Sequence, residues 1–221
     1  MKDKLKIILF LVIFTGISKS QSQIIYPQGG LIGELSYAIA KDIMPEHGFL
    51  PGKKFPTYPT IDKYDFKNIK LKVILFDNRD SLKLTKINCS EIELNNKTEL
   101  SGVQGAAKVW DYINQLFLKS NIIIDKNSTE ELEIRLTALD CRLIGFGQIA
   151  VHGLCQMEFK YKGISKTYCS DIQDGDKNAP LSKTSIASRK TATRFMSSAS
   201  IRETIEQFLI ELNKLNITLS H

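Results

Sequence analysis

Four cysteines, Cys89, Cys141, Cys155 and Cys169, are the side chains of this 221-residue sequence whose chemistry depends most on where the chain works. An even number of cysteines in an oxidising compartment favours disulfides, and four allow three pairings. Strand geometry narrows the choice. Residues 149–159 and 164–172 alternate like the two arms of a hairpin. A three-residue loop, Tyr161-Lys162-Gly163, with Gly163 in the left-handed position, places Lys160 opposite Ile164 and Cys155 opposite Cys169. Counted from a hydrogen-bonded closing pair, the cysteines form a non-hydrogen-bonded pair with Cα atoms about 4.5 Å apart, near the lower limit for a bridge. The sequence therefore predicts Cys155–Cys169. The alternative is a two-residue Lys162-Gly163 loop, which shifts the register by one and puts the two cysteines on opposite faces. Cys141 is expected opposite a residue near Val151, leaving Cys155 about 13 Å along the strand and out of reach. Cys89–Cys141 is then the residual pairing, against a reading in which both are buried free thiols.

Other residues with chemical potential form no recognisable site. The three histidines are His47, His152 and His221. His152 lies three residues from Cys155 on a strand, so the two point to opposite faces and cannot share a metal; His152 reads as a surface histidine. No metal and no cofactor is expected. Gly145-Phe146-Gly147 has the look of a dinucleotide loop but precedes a strand, whereas a phosphate needs a helix amino terminus, so it reads as a turn. Asp174, Asp176 and Asn178 match the first positions of a calcium loop. Ala179 stands where glycine is needed and Ser185 where glutamate is needed, so this too reads as a turn. Neither a Gly-x-Ser-x-Gly elbow nor a His-Glu-x-x-His helix is present. Lys183, Arg189, Lys190 and Arg194 punctuate a Ser/Thr-rich stretch. They are candidate contacts to a lipid or polymer that carries negative charge, set against a merely solvated loop.

The elements that would position these residues can be read in order. Residues 69–76 form a strand, 77–80 a turn, and 82–94 a second extended segment. Residues 103–118 form a helix with Val103, Ala106, Ala107, Trp110, Ile113 and Phe117 on one face. A short strand, 122–124, precedes the long meander, and a polar surface stretch, 173–200, leads to a last helix. Ser200 and Glu203 form its capping box, with Ile201, Ile205, Phe208, Leu209 and Leu212 as its apolar stripe. This order specifies an α+β domain over 68–221, a mostly antiparallel sheet with two helices on one face. Residues 21–67 read as a helical leader, with Leu31, Leu35, Ile39 and Ile43 in phase, and a Pro-rich connection.

Residues 1–20 have the layout of a secretory signal. Lys2, Lys4 and Lys6 precede an apolar run over 7–17, and Ser18 and Ser20 stand at −3 and −1 of a cut before Gln21. The run is too short to span a bilayer. Cleavage removes Lys2, Lys4, Lys6, Lys19 and Asp3, so the formal charge falls from +6 to +3. That residue of charge argues against nucleic acid as a partner, which requires a concentrated basic face. No transmembrane span is expected in the mature chain.

The strand ending in Asp77-Asn78-Arg79, the helix around Trp110, the Leu132-x-Ile134-x-Leu136 strand with its long hairpin, and the terminal helix make residues 69–215 resemble the YajG-like envelope lipoproteins of Gram-negative bacteria. They resemble, more distantly, the auxiliary lipoproteins of ABC-type transporters. The resemblance implies a small envelope domain without known catalysis. The chain departs from it in lacking the lipid-modified cysteine near the cut and in carrying up to two disulfides. The expected function is binding of an envelope protein, lipid or polymer in the periplasm or outside the cell. The competing classes are a secreted hydrolase, for which His152 and Asp140 are the nearest candidates, and a secreted disulfide-stabilised inhibitor or effector. Intact mass of protein purified from its native host tests the export reading. The expected amino terminus is Gln21 or within about three residues of it; a retained Met1 contradicts export.

Overall fold

The computed structural model describes residues 23–25, 64–95, 103–145, 149–176, 179 and 189–219. The signal segment, the leader helix, His47, His221, Asn178, Ser185 and Lys183 lie outside these residues.

Strand β1 (Gln23–Ile25) pairs antiparallel with β2 (Ile69–Asp77). One turn of helix, α1 (Arg79–Leu82), follows, and then α2 (Val103–Lys119) and β3 (Ile122–Ile124). The meander is β4 (Glu131–Ile144), β5 (Ala150–Tyr161) and β6 (Ile164–Gln173), and the chain closes with α3 (Arg189–Leu219). The sheet order is β1-β2-β4-β5-β6, with β3 beside the start of β2. β2 runs parallel to both β3 and β4; the other pairings are antiparallel. α2 is thus the crossover of a β-α-β unit, and the meander extends the sheet away from it. The fold is α+β.

Alternation builds the core. Leu71, Val73 and Leu75 of β2, Leu132, Ile134 and Leu136 of β4, and Cys155, Met157, Phe159 and Tyr161 of β5 face the two long helices. α2 presents Ala106, Val109, Trp110, Tyr112, Ile113, Leu116 and Phe117. That face is wider than a single stripe because α2 meets α3 as well as the sheet. Full burial of each such large side chain contributes roughly 1.5–3 kcal/mol.

A bulge in β4 between Leu136 and Ala138 shifts the phase of alternation. Before it, even-numbered residues face the helices. After it, Leu139 and Cys141 do, while Ala138 packs on the other face. The bulge sits just past the last β2–β4 pair, Asp77 with Leu136. Beyond it the β4–β5 hairpin projects for eight residues, about 26 Å at ordinary strand rise.

Two expected elements differ. Residues 83–95 are not a strand but a compact loop, described below. The helix expected from Ser200 begins at Arg189, and residues 192–193 and 195–200 of the presumed surface stretch are buried. Phe195 and Met196 join the core, and Ser197, Ser198, Ala199 and Ser200 are covered. Ser200 caps nothing: its hydroxyl donates to the Ser197 carbonyl at 3.0 Å within the helix. The small residues that read as a polar loop instead let α3 lie close to the sheet. The contact is tightest at Gly153, where a Cβ atom would stand 2.1 Å from the Met196 carbonyl oxygen. Both partners there are backbone, so a side chain can be accommodated only if the helix moves. Gly153→Ala is expected to destabilise the domain by about 1–3 kcal/mol or more, read as a lower urea midpoint. An unchanged midpoint contradicts this packing.

Candidate functional site

The face of the sheet opposite the helices carries a polar cluster. Residues 83–95 cross it as a strap, closed on itself by Leu94 N donating to the Thr85 carbonyl at 2.8 Å. Ile87 is its apolar anchor, buried with Ala138 and Leu154, and Leu84, Ile92 and Leu94 surround it. The periodicity of 82–94 resembles a strand because alternate residues do face the sheet. No neighbouring strand takes up the backbone, and the chain folds back.

Polar contacts tie the strap down at three points. Asn88 N donates to Gln156 Oε1 at 2.7 Å, and Gln156 Nε2 donates to Thr137 Oγ1 at 3.2 Å, linking strap to bulge. Asn95 N donates to Asp140 Oδ2 at 2.6 Å. Ser90 Oγ donates to Asp171 Oδ2 at 2.6 Å, and His152 Nδ1 lies 2.8 Å from Asp171 Oδ1. His152 and Asp171 are both mostly buried, with 15% and 20% of their side chains exposed.

The fourth tie is covalent. Cys89 is bonded to Cys169, with Cα atoms 6.0 Å apart, and Cys141 and Cys155 are buried free thiols. This corrects both expected pairings, Cys155–Cys169 and Cys89–Cys141. The cause is the turn. Tyr161 pairs with Ile164 across a two-residue loop in which Lys162 and Gly163 both have positive φ, 49° and 79°. Such a loop matches strand twist, and lysine tolerates the left-handed position here. Cys155 therefore pairs with Ser170 and points into the helix-covered core, while Cys169 pairs with Gln156 and points at the strap. Cys141 pairs with Gly153, two residues from the expected position. Burial pushes the Cys155 thiol up to about 12, against a contact with Thr204 and the charge of Arg79.

The geometry also decides what the cluster can do. A serine nucleophile needs an imidazole to take its proton, with the carboxylate behind the ring. Here Ser90 and His152 both address Asp171, one on each oxygen, so the carboxylate is the hub and the serine has no base. His152 is not the surface histidine expected, because the one-residue shift brings Asp171 of β6 onto its face. Asp140, the other residue considered for catalysis, accepts from Asn95 N and from Cys141 N at 2.7 Å. Asp174 and Asp176 likewise accept from the Val151 and Gln173 backbone N–H groups, both at 2.8 Å, as turn residues do. Among the described residues no group of three or more His, Cys, Asp or Glu is placed to hold a metal, and no helix is long and apolar enough to cross a membrane. Ser90, Asp171 and Gln156 went unread in the sequence. The available signal was adjacency: Ser90 follows one cysteine, and Asp171 lies two residues beyond the other on the same strand face.

Of the four basic residues, Arg189, Lys190 and Arg194 fall in the first two turns of α3. At the far edge of the described sheet, β6 leaves Ile164, Ser165, Lys166 and Thr167 exposed. The non-hydrogen-bonded pairs with β5 put the backbone groups of Ser165, Thr167 and Cys169 on the outer side. Only the last is visibly covered, its carbonyl accepting from Gln207 Nε2 at 3.0 Å.

No family model and no curated protein matches the sequence. Solved structures are similar to it in part. One is a Xanthomonas campestris protein assigned to the family DUF330, with a TM-score of 0.43 and 10% identity over 78% of this chain and 94% of that one. Another is an uncharacterised protein, with a TM-score of 0.37 and 12% identity over 66% and 92%. The third is a minor lipoprotein from Acinetobacter baumannii, with a TM-score of 0.37 and 9% identity over 67% and 93%.

The disulfide closes a separation of 80 residues, for which the chain-entropy relation gives about 4.5 kcal/mol. Cys89→Ser is expected to lower the melting temperature by many degrees, since domains have only about 5–15 kcal/mol in total. Cys155→Ser leaves the strap attached. In the native protein only Cys141 and Cys155 remain as thiols, and both should resist alkylation until the chain unfolds. A rapidly labelled thiol in the folded, unreduced protein contradicts the assignment.

Proposed function

We infer that this is an exported envelope protein that acts by binding, and that a partner protein adds a strand to β6. The exposed outer edge over Ile164–Thr167 carries the reading. Ser165 and Thr167 offer outward backbone donors and acceptors to an extended segment, the basis of recognition by strand addition. Lys166 is a common edge guard against unselective pairing, and here it is held by Glu211 of α3, away from a free role as a deterrent. The sheet behind this edge is covered by helices on one face and by the disulfide-tied strap, at Cys169 and Asp171 of β6, on the other. A secretory signal and a disulfide agree with a periplasmic or extracellular site of action. Catalysis is not part of the reading: Asp140, Asp171 and Asp174, on and beside the strap face, are engaged by backbone and strap donors.

Proline at Thr167 removes the outward N–H without touching the ladder to β5. A photo-crosslinking residue at Ser165 in the native host is expected to give one discrete adduct. Thr167→Pro should abolish that adduct while leaving thermal stability within about 1 kcal/mol. An adduct that persists in the proline variant contradicts the strand-addition reading.

A further inference from the structure

The Cys89–Cys169 bond lies at the surface. Cys89 is exposed and Cys169 half-buried, whereas the thiols Cys141 and Cys155 are buried on the helix-covered face. Exposed disulfides are open to thiol exchange and are the labile, regulatory kind. Neither internal thiol can serve as the attacking group. Both lie on the opposite side of the sheet, and burial holds the Cys155 thiol protonated. A reductant must therefore come from outside, and it meets Cys89 first.

What the bond restrains is separable from the core. The strap, residues 83–95, rests on a small apolar cluster of its own, Ile87 with Ala138 and Leu154, and Leu84, Ile92, Leu94 and Cys169 around them. None of these belongs to the core that holds Trp110 and the two long helices. Within the strap only Ile87 is buried. Its polar ties run from Asn88 N, Ser90 Oγ and Asn95 N to Gln156, Asp171 and Asp140. A segment of this length with one buried side chain loses more conformational entropy on ordering than that burial returns, and such segments open locally while a core stays folded. The covalent tie reverses the balance. Beneath the strap lie Ala138, Asp140, Leu154 and Gln156, all buried while it is closed.

We propose that the Cys89–Cys169 bond is a redox switch for the strap: an external dithiol reduces it, and residues 83–95 then lift from β4, β5 and β6 while the helix-covered core stays folded. One thiolate of the dithiol attacks Cys89 Sγ, the S–S bond breaks, and Cys169 leaves as a thiolate that takes up a proton. The second thiolate of the dithiol attacks its own partner sulfur in the mixed disulfide and releases Cys89, which takes up the other proton. The dithiol is oxidised to a disulfide, and the two cysteines are reduced to thiols by the same two electrons. Opening frees Asp140, Gln156 and Asp171 from the strap donors and bares Ala138 and Leu154. The switch goes beyond the strand-addition reading and does not rest on it. It needs no strand at the β6 edge, and the Ser165 adduct does not report on it.

The test compares the mature chain before and after dithiothreitol in native buffer. Hydrogen exchange is followed over the strap, residues 84–95, and over α2, residues 106–117. The emission of Trp110, the one tryptophan of the sequence, reports on the core. Dithiothreitol is expected to reduce the bond without denaturant. Strap amides should then exchange at least about tenfold faster than in the oxidised protein, and well ahead of those in α2. Trp110 emission should not change, and reoxidation should restore protection of the strap. Cys89→Ser with Cys169→Ser should match the reduced protein. The proposal is overturned by a bond that resists dithiothreitol until denaturant is added, or by a strap that stays protected after reduction or in the paired variant. It is equally overturned if strap and α2 amides of the reduced protein exchange at one rate with a red shift of Trp110, since the bond then staples the whole fold.

Discussion

The two-residue turn at Lys162-Gly163 is the constraint on which the rest of this molecule depends. Side chains alternate along a strand, so a shift of one residue exchanges the faces of everything that follows. With both turn residues at positive φ, Cys155, Met157 and Phe159 share the helix-covered face with Tyr168 and Ile172, and Cys169 and Asp171 share the other. A three-residue turn would move Asp171 away from Ser90 and His152, and Cys169 away from Cys89. The register thus determines which face receives a helix and which receives a strap.

The two faces are held by different physics. On one, α3 approaches closely enough that Gly153 has no room for a side chain, and the adhesion is dispersion and burial across closely packed surfaces. On the other, Ile87 supplies a modest apolar anchor and the rest is polar: Gln156, Asp140 and Asp171 each receive a donor from the strap. Such a surface is weak on its own. A covalent tie limits how far it can open, which fits a protein whose redox surroundings are oxidising. The sheet that results is covered across the middle on both faces, and among the described residues β6 leaves Ile164, Ser165, Lys166 and Thr167 exposed.

Much of the architecture was legible in the sequence, and the failures have particular causes. The alternation at Leu132, Ile134 and Leu136 and the helical phase of Trp110, Ile113 and Phe117 each report a local period, and local periods survive into the fold. The sequence points to the wrong disulfide because the turn, not the period, sets register. Lysine at positive φ is uncommon, so the sequence assigns the left-handed position to the glycine alone. The start of α3 was missed because Ser197, Ser198 and Ser200 look like a solvated loop, although they are buried. Small hydroxyl residues satisfy themselves on the carbonyls of the preceding turn, as Ser197 does on Thr193 at 2.6 Å. The strap was read as a strand because its apolar residues alternate, and alternation does not reveal whether a neighbour is present to take the backbone hydrogen bonds. The polar cluster around Asp171 was invisible for the same reason as the disulfide, since it assembles only in the correct register.

A peptide map of the protein digested without reduction tests the register and both of its consequences at once. The account predicts one cross-linked species, joining the peptide that contains Cys89 to the peptide that contains Cys169, with Cys141 and Cys155 recovered as thiols. A species joining Cys155 to Cys169 would contradict the two-residue turn, and with it the placement of the strap and of every residue on the two faces of the hairpin.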